Sequence, residues 1–218
     1  MKYKAALFDL DGTLLDTLQD LADSTNAVLE RHGLPTHPVE PFRHFVGNGA
    51  RTLIERVLPE DRRSDELIDQ CVAEMRREYT ERWAATTKPY DGVDEMLDGL
   101  ARLGLPMAVL SNKPDDFTKI MVEKLLPKWR FAVVQGAVPD VPLKPDPAAA
   151  LGVAKTMGVL PADFVYIGDT GTDMRTARGA GMFSVGVLWG FRDAAELTEN
   201  GAEVMIENPR ELIDVVSG

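Results

Sequence analysis

Short, uninterrupted runs of apolar, β-branched and aromatic residues recur along the chain at Lys4–Leu10, Pro106–Leu110, Phe131–Gln135, Phe164–Ile167, Phe183–Leu188 and Glu203–Ile206. Most are continuous rather than alternating, as expected for strands covered on both faces of a parallel sheet. Between the later runs lie amphipathic stretches of helical length at Val93–Leu103, Asp115–Leu126, Pro147–Met157 and Thr172–Ala180. Strand and helix alternate from Lys88 onward, which predicts an α/β fold built on a doubly wound, Rossmann-like parallel sheet.

The first strand breaks this rhythm, because no second strand follows Leu10 until Pro106. Leu18, Leu21, Ala22, Thr25, Val28 and Leu29 follow the three–four spacing of a helix with one buried stripe. Gly33-Leu34-Pro35 then ends it, Gly as the left-handed cap and Pro as the barrier to resumption. Further helices are readable at Gly49–Val57 and Asp65–Ala85, and Lys88-Pro89-Tyr90-Asp91-Gly92 reads as a return linker. The chain is therefore expected to hold an inserted helical cap at residues 16–87 within an α/β core of residues 1–15 and 88–218. No internal repeat or low-complexity tract is present.

Composition narrows the classes of partner. The 218 residues are 44% hydrophobic and 27% charged, values typical of a folded globular protein. With 24 Lys+Arg against 35 Asp+Glu the formal charge is −11, which repels a phosphate backbone in the absence of a segregated basic face. The densest basic stretch, Arg62-Arg63 with Arg76-Arg77, is interleaved with acids and reads as solvated helix surface. Nucleic acid is not an expected partner, nor is a membrane, since no uncharged apolar run approaches the roughly 18 residues a spanning helix needs. Asp9 interrupts the N-terminus too early for a signal peptide, and the single cysteine, Cys71, cannot form an internal disulfide. A cytoplasmic monomer or homodimer is expected.

In open α/β sheets ligands sit beyond the carboxyl ends of the strands. Those ends carry Asp9 and Asp11, then Ser111-Asn112, then Asp169 and Asp173, with Lys144 in the loop before a helix. Four carboxylates on one edge repel one another unless a cation holds them, and an all-oxygen donor set suits Mg²⁺. Asp9 and Asp11 are two apart on an extended chain, so both can face one pocket, and Gly12 permits a sharp turn directly after them. One carboxylate of such a pair can hold metal and attack phosphorus while the other handles a proton. His32, His37 and His44 lack ligand spacing, and Trp189 reads as core or hinge packing.

LFDLDGTLLDT, VLSNK, LKPDP and YIGDTGTD, in this order and spacing, resemble the four motifs of the haloacid-dehalogenase-like hydrolase superfamily. The insert between the first two resembles that superfamily's first cap class. A finer resemblance, carried by FVGNGARTLIERVL and GVLWGFRDAAELTENGAEVMIENPRELI, is to phosphoglycolate phosphatases. The resemblance implies Asp9 as nucleophile, forming an aspartyl-phosphate. It implies Asp11 as the acid that protonates the leaving alkoxide and the base that then activates water, with its carbonyl on Mg²⁺. Asp169 would be a direct metal ligand, and Asp173 either a metal ligand through water or a partner of Lys144. Ser111 and the amide of Asn112 would grip phosphoryl oxygens beside Gly12 and Thr13, and Lys144 would offset charge between nucleophile and phosphate.

In the cap, Gly47-Asn48-Gly49-Ala50-Arg51 would bring backbone near a small ligand, with Arg51 pairing with its carboxylate or phosphate. The expected reaction is Mg²⁺-dependent hydrolysis of a small phosphorylated metabolite, 2-phosphoglycolate first among them. Inorganic pyrophosphatase and sugar phosphomutase stand as alternatives, and a receiver-like phospho-acceptor as a non-enzymatic one. A dehalogenase has no need of Asp11. A phosphonoacetaldehyde hydrolase would need a cap lysine, and none occurs between Lys4 and Lys88.

Overall fold

The computed structural model describes residues 1–218. The chain opens with β1 (Ala5–Phe8) and a two-residue strand, β2 (Leu15–Asp16). Four helices follow, α1 (Leu18–Arg31), α2 (Phe42–Phe45), α3 (Ala50–Val57) and α4 (Asp65–Arg82), before the short strand β3 (Lys88–Pro89). Helix and strand then alternate through α5 (Val93–Arg102), β4 (Met107–Pro114), α6 (Asp115–Leu125), β5 (Phe131–Ala137), α7 (Ala148–Met157) and β6 (Phe164–Gly168). The C-terminal part adds α8 (Gly171–Ala180), β7 (Phe183–Val187), α9 (Ala194–Glu199), β8 (Val204–Ile206) and α10 (Leu212–Ser217).

The six longer strands form one sheet in the order β5-β4-β1-β6-β7-β8, and every neighbouring pair is parallel. This is the doubly wound α/β architecture, with the first strand in its centre. β2 and β3 pair separately as a two-stranded sheet. The chain divides into two compact units, Met1–Leu15 with Pro89–Gly218, and Asp16–Lys88.

Alternation along the strands assigns their faces. Ala5 and Leu7 of β1, Ala108 and Leu110 of β4, and Phe164 and Tyr166 of β6 share one buried cluster with Ala149, Ala150, Val153 and Ala154 of α7 and Ala177 and Ala180 of α8. Alanine on the two helices lets their backbones approach the sheet, while the larger strand residues fill the gap. Leu7 and Phe164 are both fully buried, and each contributes about 1.5–3 kcal/mol by leaving water.

The second unit follows its own pattern. Leu18, Leu21, Ala22, Thr25, Val28 and Leu29 are the buried stripe of α1. The helix stops where Gly33 takes a φ of 63° and Leu34 donates back to the Leu29 carbonyl at 2.9 Å. Ser64 caps α4 through Leu67, and α4 buries Ile68, Cys71, Met75 and Tyr79 at helical spacing. Asp20, 1% exposed on α1, accepts hydrogen bonds from the backbone amides and hydroxyls of both Thr86 and Thr87, at 2.6–3.0 Å. The two ends of this unit are thereby fastened together.

The chain departs from the expected elements in several places, and the short strands β2 and β3 stand in the stretch expected to hold no strand before Pro106. The helix expected to reach Ala85 ends at Arg82. β4 does not stop at Leu110 but continues to Pro114, with a register irregularity between Leu110 and Pro114 against β5. Ser111 and Asn112 therefore lie within a bulged strand rather than in a loop after it. The short helices α2, α9 and α10 carry no signal in the hydrophobic pattern long enough to read.

Candidate active site

Asp9 follows the last residue of the central strand, and its amide continues the ladder by donating to the Ile167 carbonyl at 2.9 Å. The next turn reverses sharply: Gly12 sits at φ 83°, and its amide donates to the Leu15 carbonyl at 2.9 Å. A Cβ at Gly12 would stand 2.2 Å from Asp169 Oδ2, so both its conformation and its surroundings require glycine.

Oδ1 of Asp9 accepts from the Leu10 amide at 2.7 Å and faces Lys144 Nζ at 2.8 Å. Lys144 divides its three protons among Asp9, Asp173 Oδ1 at 2.7 Å and the Leu110 carbonyl at 3.1 Å. An ammonium has three donors, and all are used. Asp173 sits in the first turn of α8, whose N-cap is Thr170. Its Oδ2 accepts from the Thr170 amide at 3.1 Å and hydroxyl at 2.6 Å, while Tyr166 donates to Oδ1 at 3.3 Å. Asp173 thus holds Lys144 and closes a capping box at once.

Asp169, fully buried, accepts from the Thr13 hydroxyl on Oδ1 and from the Phe191 amide on Oδ2, each at 2.9 Å. Asp9, Asp169 and Asp173 offer carboxylate oxygens within 4.8 Å of one another. Burial, then Asp173, pushes the Asp9 carboxyl well above its ordinary value, against Lys144. The same two causes push Asp169 up to about 7, against the donors Phe191 and Thr13. Burial would lower the pKa of Lys144, but Asp173 and Asp9 raise it well above its ordinary value.

Asp11 turns to another cation: both its oxygens lie 3.0 Å from Nζ of Lys113, with the two side chains 11% and 5% exposed. Across the edge, four carboxylates face two ammonium groups, a formal excess of two negative charges. Buried oxygen ligands with that imbalance fit a hard divalent cation such as Mg²⁺. Asp9 and Asp169 would hold it by carboxylate, and the side chain of Asp11 is committed to Lys113.

Ser111 Oγ accepts from the Lys113 amide at 3.2 Å. The side chain of Asn112 spans the backbone of Lys144, accepting from its amide at 2.9 Å and donating to its carbonyl at 3.0 Å. Ser111, Asn112 and Lys144 line one side of a small cleft with Gln135 and Gly136. Ser111 and Asn112 lie in the stretch where the register of β4 against β5 shifts, between Leu110 and Pro114.

The core residues Asp9, Asp11, Gly12, Thr13, Ser111, Asn112, Lys144, Asp169 and Asp173 are thus brought to one sheet edge. Gly47, Asn48 and Arg51 belong to the other unit. There, Asn48 Oδ1 accepts from Arg56 at 2.9 Å, and Arg56 also donates to the His44 and Phe45 carbonyls. The guanidinium of Arg51 is engaged by Asp65, Asp69 and Glu55. His37 bonds the Val57 carbonyl and His32 meets Glu74.

Sequence reasoning passed over Tyr166, Thr170 and Phe191, gave Lys113 no role beyond its place in VLSNK, and read Trp189 as core or hinge packing. Two of these carried a visible cue: Lys113 directly follows Ser111-Asn112, and Tyr166 places a hydroxyl in an otherwise apolar strand. Phe191 acts through its backbone amide, which no residue type encodes.

A family model described as haloacid dehalogenase-like hydrolase matches residues 6–187. An N-acetylmuramic acid 6-phosphate phosphatase of Pseudomonas aeruginosa is 34% identical over 219 residues, covering 99% of this chain and 96% of its own. Phosphoglycolate phosphatase 1 of the same organism is 32% identical over 213 residues, covering 96% of this chain and 78% of its own. A solved structure from Lactobacillus delbrueckii subsp. bulgaricus matches with a TM-score of 0.93 at 30% identity, over 99% of each chain.

Proposed function

This chain belongs to the haloacid dehalogenase-like hydrolase family and is a phosphatase, and from that premise we propose that it hydrolyses a small phosphomonoester, 2-phosphoglycolate first among the candidates, through a phosphoryl group carried on Asp9. The observation that carries this reading is the setting of Asp9: its two hydrogen-bonded partners, Leu10 and Lys144, both fall on Oδ1. Oδ2 is then the oxygen left to attack phosphorus.

Asp9 Oδ2 forms a bond to phosphorus as the bond to the leaving oxygen breaks, and Asp11, entering the step in its protonated form, gives that oxygen its proton. Water next attacks the phosphorus, Asp11 takes a proton from it, and Asp9 leaves as a carboxylate. Lys144 balances charge between the nucleophile and the transferring group, and the Ser111 hydroxyl and Asn112 amide orient phosphoryl oxygens. Mg²⁺ held by Asp9 and Asp169 would supply the charge that keeps those buried acids ionised beside a phosphate. Lys113 sets where the Asp11 side chain stands before substrate arrives.

The substrate itself has a second reading. The relative at 34% identity is named for N-acetylmuramic acid 6-phosphate, and its match covers both chains almost completely. Both phosphoesters present a carboxylate besides the phosphate.

Phosphate release with Mg²⁺, with and without EDTA, tests the proposal. The panel comprises 2-phosphoglycolate, N-acetylmuramic acid 6-phosphate, pyrophosphate, glucose phosphates, 5′-nucleotides and p-nitrophenyl phosphate. A preference for 2-phosphoglycolate that EDTA abolishes supports it. A preference for the muramic ester moves the assignment to that substrate, and full activity in EDTA removes the role given to Mg²⁺.

A further inference from the structure

We propose that Trp189 is a positioning residue for the divalent cation site, fixing the carboxylate of Asp169 through Thr13. The inference rests on the reading above that Asp169 holds a cation.

Trp189 Nε1 donates to the Thr13 carbonyl at 3.0 Å, and the Thr13 hydroxyl donates to Asp169 Oδ1 at 2.9 Å. Two residues on, the Phe191 amide donates to Asp169 Oδ2 at 2.9 Å. Between them, Gly190 lies so close that a Cβ there would stand 2.2 Å from Asp169 Cβ and 2.5 Å from the Gly12 carbonyl. Three consecutive residues thus enclose one carboxylate: one ties down the loop that carries Thr13, one packs against the acid, and one donates to it.

The arrangement has a physical purpose. A β-branched side chain is stiff at χ1, so the aim of the Thr13 hydroxyl at Asp169 follows the position of the Thr13 backbone, which the Trp189 bond holds. With one donor on each oxygen, the carboxylate plane is locked and each oxygen keeps a lone pair for a ligand. Asp169 is fully buried, so a freely turning carboxylate there would lose both its hydrogen bonds and its aim. Groups that orient a metal ligand typically carry about 10–100-fold of metal affinity.

The test is Mn²⁺ binding to the full-length protein, followed by the loss of the free-ion paramagnetic resonance signal, without substrate. Trp189→Phe and Thr13→Val should each weaken binding by about tenfold or more. The double variant should bind no more weakly than Thr13→Val alone, because both changes cut one chain of contacts, and Thr13→Ser should stay near wild type. Wild-type affinity in Trp189→Phe overturns the inference while leaving the metal reading intact. So does a double variant whose loss is the product of the two single losses, since Trp189 would then act independently of Thr13. Absence of Mn²⁺ binding by the wild-type protein overturns the metal reading and this inference with it. Should Trp189→Phe fail to fold, benzothienylalanine at position 189 keeps the shape of the indole and removes only the N–H.

Discussion

The side chain of Asn112 and the backbone of Lys144 form a reciprocal pair of hydrogen bonds, 2.9 Å from the Lys144 amide and 3.0 Å to its carbonyl, across 32 positions of sequence. Asn112 therefore locates the lysine that stands between Asp9 and Asp173, whatever its own amide does for the substrate. Asn112→Ala is expected to lower kcat about 10²-fold with a smaller change in KM, the scale of a misplaced catalytic group. Asn112→Asp keeps the acceptor for the Lys144 amide and should fall between. Steady-state kinetics on p-nitrophenyl phosphate checks this, and a pure KM effect would assign Asn112 to substrate contact alone.

The buried acids make the metal-free protein sensitive to pH. Asp169 is pushed from 3.8 up to about 7 by burial and Asp173, so between those values the folded protein keeps a proton that the unfolded chain releases. Stability from this group is fully present below about pH 4 and is lost as the pH rises to about 7. Asp9 is displaced in the same direction. In EDTA, the melting temperature should be lower at pH 8 than at pH 5.5, and Asp169→Asn should flatten that slope. Cation binding needs the ionised carboxylates and should weaken as the pH falls below about 7.

Asp11 is expected to carry proton transfer. Asp11→Asn should reduce turnover of an alkyl phosphate by about 10²–10⁴-fold, the usual range for general acid–base assistance. The loss should be smaller for p-nitrophenyl phosphate, whose leaving group needs little protonation. Equal losses on both substrates would count against this role.

Arg51 separates two explanations of its position on α3. If it serves the substrate, Arg51→Ala raises KM for an anionic phosphoester by roughly tenfold and leaves kcat almost unchanged, the scale of one charged hydrogen bond. We expect that outcome, with little change in melting temperature, because its ion pairs are exposed and exposed pairs contribute little. A lower melting temperature with an unchanged KM would make it a purely structural residue.

The six strands and the long helices were legible because their hydrophobic runs exceed one turn or one strand pair. α2 has four residues, and α9 and α10 have six each, too short for a helical period to stand out. Asp9, Asp11, Asp169 and Asp173 could be collected in advance because the topology of a doubly wound sheet sends strand ends to one edge. The pairing of Asp11 with Lys113 could not, since it joins residues 102 positions apart. Nor could the hold of Asn112 on Lys144, which depends on a bulge that no local pattern announces. What remained hidden was the orientation of each acid, which tertiary neighbours set.

The knot between Asp20 and the pair Thr86-Thr87 bears on how such a chain can change over time. Burial alone would push the Asp20 carboxyl up, but hydrogen bonds from Thr86 and Thr87 outweigh it and hold it below its ordinary value. The insertion's beginning and end are joined to each other by these bonds, whatever length of chain lies between them. The entropy of closing that excursion grows only with the logarithm of its length, by about 0.6 kcal/mol for each doubling. Whole helices can then be traded inside the loop of chain while the strands that present the acids keep their register, so the two halves of the molecule are free to evolve at different rates.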